Sequence, residues 1–336
     1  MYTPATKVRS SGARILVVRL SSMGDVIHAL PAAASLKHSF PASCLTWVVN
    51  PRWAPLLEGN PFIDRVVWFS RHSWAGLRAA WRELRSARYD LAVDFQGLIQ
   101  SALVASAARP TRIYGFHQSQ LREPLAGLVY SDRVVARGAH VVDRNLDLAA
   151  RAGAANVLKT FPLPAGIPEG ELPSGRFVLA SPLAGWGAKQ WPLDRYAALG
   201  RRLESAGCRL LSLASAPVPA RFRALAETLG PGLLDLAGAT TPAEALALVS
   251  LASLVVSDDS GLMHLAWVQG VPALALFGSS RAAWSRPEGP RSDGFYSEDL
   301  ECGACMRPTC ARGDLICLSR VDVEVVFRRA TAVLGL

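Results

Sequence analysis

"TFPLPAGIPEGELPSG", residues 160–175, holds four prolines and three glycines. Proline fixes φ and removes a donor, and glycine loosens the chain, so this run reads as a linker. On its N-terminal side, short apolar, β-branched runs predict strands: "RILVVRL" (14–20), "LTWVV" (45–49), "RVVWF" (65–69), "DLAVD" (90–94) and "RIYGF" (112–116). Helical spacing lies between them, as in "SWAGLRAAWRELRSARY" (73–89). On the C-terminal side the alternation restarts with "RFVLASP" (176–182), "CRLLSLAS" (208–215), "LASLVVSDD" (251–259) and "VPALALFG" (271–278). Strand–helix alternation on both sides of one break predicts two doubly wound α/β domains. A chain of 336 residues is long enough for two cores.

Half of the residues are hydrophobic and 19% are charged, which excludes a disordered chain. No apolar run reaches the roughly 20 residues that span a bilayer. Residues 1–13 are polar and basic and lack the apolar centre of a secretory signal, so a cytoplasmic location is expected. The net charge of +9 is uneven. Residues 1–175 carry 20 Lys and Arg against 12 Asp and Glu, whereas 176–336 carry 16 against 15. The N-terminal half therefore suits an anionic partner, such as a membrane surface or a phosphorylated substrate, or simply has a basic surface. No nucleic-acid-binding motif accompanies that charge. A G-x-G-x-x-G after the first strand and a G-x-x-x-x-G-K-[ST] are both missing, which argues against a dinucleotide dehydrogenase and a P-loop kinase.

In doubly wound sheets, ligands bind beyond the carboxyl ends of strands. Three stretches fall there. In "RLSSMGDVIHALPAA" (19–33), Asp25 opens a helix. It is either part of a helix cap that complements the dipole or a catalytic carboxylate. In "VVSDDSGLMHLAWVQG" (255–270), Asp258 and Asp259 end a strand and Ser260-Gly261 start a helix. Free N–H groups there, with His264 three residues on, suit a diphosphate held without a metal. The alternative is an ordinary capped joint with a satisfied histidine. In "PLAGWGAKQWPLDRY" (182–196), small residues precede Lys189, forming either an anion clamp or an exposed loop lysine.

Taken in order, "SSMGD-x-x-H-x-x-P", "KQWP", "DSGL-x-H" and "FGSS" resemble glycosyltransferase family 9, the ADP-heptose:lipopolysaccharide heptosyltransferases. "VDFQGLIQSALV" (93–104) and "REPLAGLVY" (122–130) resemble its heptosyltransferase I branch. The resemblance covers about residues 14–335. It implies a GT-B fold, two Rossmann-like domains facing a cleft. Residues 1–160 would bind the acceptor, 161–175 would link, and 176–320 would bind the nucleotide sugar. A C-terminal helix in 321–336 would pack back toward the first domain.

The resemblance also implies roles. Asp25 would be the general base for an inverting displacement, with Ser22 beside the reacting hydroxyl. Lys189 would contact the donor phosphate or heptose and stabilise the leaving ADP. Asp259 would bind heptose hydroxyls, and Ser260, Gly261 and His264 would cradle the diphosphate. Gly185 and Thr240 align with donor-side positions. Arg71, Arg78 and Arg122 would meet acceptor anions, and Arg82 and Arg85 either join them or form a solvated face. Trp74, Leu77 and Trp81 are expected in the core, with acyl-chain contact as the alternative. The implied donor is ADP-heptose, with no metal needed for catalysis. The acceptor would be the 3-deoxy-manno-octulosonic acid of a lipid A-linked inner core, reached from the cytoplasmic face of the inner membrane. A heptosyltransferase II-like acceptor and a non-transferring sugar-nucleotide binder remain as alternatives.

Two stretches depart from the branch. "AGWGAK" (184–189) and "SAPVPAR" (215–221) stand where it has threonines and acidic residues, which leaves nucleotide recognition open. "CGACMRPTCARGDLIC" (302–317) places Cys302, Cys305, Cys310 and Cys317 as C-x2-C-x4-C-x6-C. Such a set either closes a structural zinc site or remains as thiols.

Overall fold

The computed structural model describes residues 12–167, 175–213, 240–336 and the backbone of 233–235. The chain divides into two units, Met1–Pro164 and Ala165–Leu336. The division falls within the Pro/Gly-rich run, of which 168–174 lie outside the described residues.

Unit 1 is built on strands β1 (Arg14–Val18), β2 (Cys44–Val49), β3 (Arg65–Trp68), β4 (Leu91–Asp94), β5 (Arg112–Phe116) and β6 (Asp132–Val134). They pair in parallel in the order 3-2-1-4-5-6. Parallel strands are covered on both faces, which is why β1 reads as an unbroken apolar run with Ile15 to Val18 all buried. Helices α1 (Met23–Ser39) and α4 (Val141–Arg151) pack together. Helices α2 (Trp74–Arg85) and α3 (Ile99–Ala107) and the 3-10 segment Pro124–Val129 share one core. That core joins Ala80 and Leu84, Ala102 and Ala105, and Ala126 to Leu16, Val18, Val48 and Ala92 of the sheet.

Unit 2 repeats the plan with β7 (Phe177–Ser181), β8 (Arg209–Ser212), β9 (Leu233–Asp235), β10 (Leu254–Asp258), β11 (Ala273–Leu276) and β12 (Ser292–Phe295). Its sheet, β12-β11-β10-β7-β8-β9, has the same order when its strands are counted from β7. Among the described residues its α-helices are α5 (Leu193–Ser205), α6 (Pro242–Leu251), α7 (Gly261–Val268), α8 (Ala282–Ser285), α9 (Ile316–Ser319) and α10 (Val323–Leu334). The C-terminal helix α10 lies against α5, where Val326, Ala330 and Leu334 join Tyr196, Leu199 and Leu203.

In each sheet the strand order reverses beside the first and fourth strands, β1/β4 and β7/β10. Crevices form at such switch points. The "SSMGD" turn follows β1, the Lys189 loop follows β7, and "DSG" follows β10. Among the described residues, no helix is long and apolar enough to cross a membrane.

Candidate active site

At the first switch point, Ser22 is the N-cap of α1 and Asp25 is its third residue. Asp25 Oδ2 accepts the Ser22 backbone N–H and the Ser22 hydroxyl, both at 2.9 Å. The capping role is therefore real. A second role is built on top of it, because Asp25 Oδ1 pairs with the Arg19 guanidinium. Arg19 is buried and also donates to the Phe95 carbonyl. Burial alone would raise the Asp25 pKa, but Arg19 and the Ser22 hydrogen bonds outweigh it and hold the carboxyl below its usual range. Asp25 is thus a carboxylate at neutral pH. Arg19 was legible as the first residue of the quoted stretch, yet strand periodicity gave no hint that its side chain turns to Asp25.

The motif "VDFQGL" braces this turn. Gln96 Oε1 accepts the N–H groups of Leu20 (2.9 Å) and Ser21 (3.2 Å). Asp94 ends β4, fully buried, and accepts from Gln96 N (2.9 Å), Gly97 N (3.2 Å), the Ser101 hydroxyl (2.8 Å) and the Tyr130 hydroxyl (2.7 Å). Burial raises its pKa, and these donors work against that rise. Tyr130 closes "REPLAGLVY" and packs against Gly115, where a Cβ would come within 2.2 Å of its ring. Asp94, Gln96 and Ser101 of the first stretch and Tyr130 of the second thus brace the Asp25 turn.

Arg71, Arg78 and Arg122 are exposed, as are Arg82 and Arg85. Arg71 Nε lies 3.2 Å from His72 Nε2. The core expectation for two aromatic residues fails: Trp74 is 82% exposed and Trp81 48%. Helix α2 buries Ala80 and Leu84 instead, with Leu77 half-buried, and these lie on a face rotated away from both tryptophans.

At the second switch point, the two adjacent aspartates have opposite tasks. Asp258 is fully buried and accepts Trp191 N (3.1 Å) and the Tyr196 hydroxyl (2.9 Å). Burial drives its pKa well up. It pins the far end of the loop that carries Lys189. Asp259 instead faces that loop. Its carboxylate meets Lys189 Nζ at 2.5 Å, the Ser285 hydroxyl at 3.5 Å and His264 Nε2 at 3.6 Å. Burial acts to raise its pKa, but the His264 hydrogen bond and the Lys189 charge prevail and hold it far below the carboxylate range. Lys189 ends a 3-10 turn (Gly187–Lys189), with its ammonium 4.6 Å from the Trp186 ring.

Around this pair, the Ser260 hydroxyl meets those of Ser257 (2.9 Å) and Ser181 (3.1 Å). Gly261 is the first residue of α7, whose first N–H groups lack intrahelical partners. Gly185 is exposed in the Lys189 loop with open space where a Cβ would stand. Thr240 is half-buried just before Thr241, the N-cap of α6, and is not part of the hydrogen-bonded group around Asp259. "FGSS" supplies two residues to which sequence reasoning gave no role. The hydroxyls of Ser279 and Ser280 are buried without a partner among the described residues, and Ser279 N donates to Ala188 O at 3.3 Å.

The cysteine-bearing loop packs on the same turn. Ala188 N donates to Pro308 O at 3.1 Å, and Met306 N to Ser279 O at 2.7 Å. All four cysteines are free thiols. Among the described residues, no three His, Cys, Asp or Glu side chains are grouped to hold a metal, so the structure does not bear out the zinc alternative. The stretch 215–221 lies outside the described residues.

The family model for glycosyltransferase family 9 (heptosyltransferase) matches residues 77–316. The chain belongs to this family. It is a glycosyltransferase. Lipopolysaccharide heptosyltransferase 1 of Pseudomonas aeruginosa is 31% identical over 325 residues, 88% of this chain and 87% of the relative. Among solved structures, a family 9 glycosyl transferase from Veillonella parvula superposes with a TM-score of 0.82 at 19% identity, covering 98% of this chain and 99% of that one. E. coli heptosyltransferase WaaC with ADP-2-deoxy-2-fluoro heptose does so with a TM-score of 0.72 at 23% identity, covering 95% and 99%. The two parallel-sheet units are those of the GT-B fold that family 9 enzymes share.

Proposed function

We propose that this family 9 enzyme transfers L-glycero-D-manno-heptose from ADP-heptose to the 3-deoxy-manno-octulosonic acid of a lipid A-linked inner core, with inversion and without a metal ion. Its likeness to a lipopolysaccharide heptosyltransferase 1 over nearly the whole chain supports the acceptor class. The observation that carries the reading is Asp259 held between Lys189 and His264 beside the start of α7.

In this reading the donor diphosphate sits at Ser260 and Gly261, where helix N–H groups and the dipole favour an anion. Lys189 leaves Asp259 to contact the phosphates, and Asp259 turns to the heptose hydroxyls. Gly185 leaves room for the donor, and Thr240 flanks it. The acceptor hydroxyl lies beside Ser22 and Asp25, while Arg71, Arg78 and Arg122 hold acceptor phosphates and carboxylate. The hydroxyl oxygen attacks the anomeric carbon, and the bond from that carbon to the β-phosphate oxygen breaks. ADP leaves with the electron pair, and Lys189 offsets its charge. The hydroxyl proton passes to Asp25. A carboxylate held at low pKa is a weak base in the ground state. It becomes effective once the new C–O bond has made the attacking oxygen acidic, so its effect falls on the transition state.

Incubation with ADP-heptose and a de-acylated inner-core acceptor tests the reading by mass. Gain of one heptose on an acceptor that ends in 3-deoxy-manno-octulosonic acid supports it. Gain only on a heptose-terminated acceptor assigns a heptosyltransferase II-like step, and donor binding without turnover assigns a binder. Activity is expected to survive EDTA.

A further inference from the structure

The layer of α2, α3 and the 3-10 segment Pro124–Val129 has an outer surface unlike the rest of unit 1. Each element turns a same-face pair of large apolar residues outward: Trp74 and Trp81, Ile99 and Leu103, Leu125 and Leu128. The spacings, i+7 and i+4 on the α-helices and i+3 on the 3-10 segment, each bring the two side chains to one side. All three elements root in the same core, and α3 touches both α2 and the 3-10 segment. Leu125 and Leu128 are 65% and 69% exposed, values that a folding role does not explain.

Charge runs through this surface. Trp74, Arg78, Trp81 and Arg85 follow at i, i+4, i+7 and i+11, one stripe of tryptophan alternating with arginine. The Arg85 guanidinium stacks 4.2 Å over the Trp81 ring. Arg71, Arg82 and Arg88 flank the stripe, and the one acid on α2, Glu83, is paired with Arg65 at 3.3 Å. Tryptophan rings favour the boundary between headgroups and acyl chains, and arginines reach outward to phosphates. A second copy of this chain would set like charge against like charge.

We propose that the outer face of α2, α3 and the 124–129 segment docks this enzyme on an anionic phospholipid leaflet, with Trp74, Trp81, Leu125 and Leu128 entering the headgroup layer. The proposal rests on the lipid-linked acceptor reading for its purpose, and its test does not need turnover.

The full chain is sedimented with vesicles of phosphatidylglycerol and phosphatidylcholine (about 3:7, to give the anionic surface density of a bacterial membrane) and with pure phosphatidylcholine. Binding to the anionic vesicles, with a blue shift of tryptophan emission, is expected, and much weaker binding to the neutral ones. Replacing Trp74, Trp81, Leu125 and Leu128 together by alanine should weaken vesicle binding by at least about tenfold. Transfer to the soluble de-acylated acceptor should be unchanged in that variant. Arg82→Glu with Arg85→Glu should cost about fivefold per charge. Should the fourfold variant melt early, Trp74→Ala alone serves, since that side chain is 82% exposed. Equal binding by variant and wild type overturns the proposal, as does indifference to lipid charge. A wild-type dimer that the variants dissociate overturns it in favour of self-association. Vesicle binding by a wild type that transfers nothing would leave the docking face standing and remove the acceptor reading.

Discussion

Lys189 and Asp259, 70 positions apart in the chain, meet at 2.5 Å with both side chains largely buried. A cation and an acid are thereby held together as one neutral pair. Lys189→Ala should slow transfer by about 10²-fold, because the departing diphosphate loses its counter-charge. Single-turnover kinetics with saturating donor would show it. Near wild-type turnover would remove Lys189 from the mechanism.

The same pair sets an acid limit on stability. The Asp259 pKa is lowered in the folded state, below about 3.9 in the unfolded chain. Its contribution is therefore present above pH 4 or so and is lost as pH falls toward the folded value. Lys189→Ala brings the folded pKa closer to the unfolded one. Thermal melts from pH 7 down to 3 should show a variant that is less stable at neutrality and loses less on acidification.

Asp25 is tested by separating its two roles. Asp25→Asn keeps size and much of the capping ability, so the cap alone would survive the change. Turnover should nevertheless fall by about 10²–10⁴-fold, with donor affinity by calorimetry little altered. Arg19→Gln removes the charge that holds the Asp25 pKa down. A base works only when deprotonated, so the acidic limb of the rate profile should move to higher pH. An unmoved limb would show that Asp25 is not the titrating group.

The arginines make an ionic-strength prediction. Neutralising Arg71, Arg78 and Arg122 together should raise the acceptor KM by about tenfold and leave donor affinity alone. Added salt should raise the wild-type acceptor KM too, because exposed charges are screened. An acceptor KM indifferent to both would make the basic surface a plain property of the fold.

Gly115→Ala tests the scaffold beneath Asp25. The new Cβ would press into the Tyr130 ring and lift its hydroxyl from Asp94. A loss of about 1–3 kcal/mol, read from denaturant melts, is expected. Turnover should fall as well, since Gln96 and the Ser21 turn lean on Asp94.

Long buried strands were the legible part of the sequence. "RIYGF" is β5 residue for residue, and "RILVVRL" overshoots β1 by its two buried terminal residues. The edge strands β6, β9 and β12 were missed because three or four residues, partly polar, leave no period to read. The residues that meet at the second switch point were legible where a motif marked them, as with Lys189, Asp259 and His264. Arg19 and Asp258 were harder, because strand alternation does not say that the Arg19 side chain turns to Asp25, and Asp258 takes partners more than 60 positions away. Trp74 and Trp81 misled, because helical spacing shows that two residues share a face but not which face meets the sheet.

Each half of the molecule keeps its own six-stranded sheet, and its own carboxylate network at the switch point. Asp94, Gln96 and Asp25 belong wholly to residues before Pro164, and Asp258, Asp259 and Lys189 wholly to those after it. A recombination joint between Pro164 and Ala165 therefore cuts neither network. Descendants of such a chain can exchange one half and leave the hydrogen-bonded carboxylate network of the other intact, so the two switch points are free to diversify as separate heritable units.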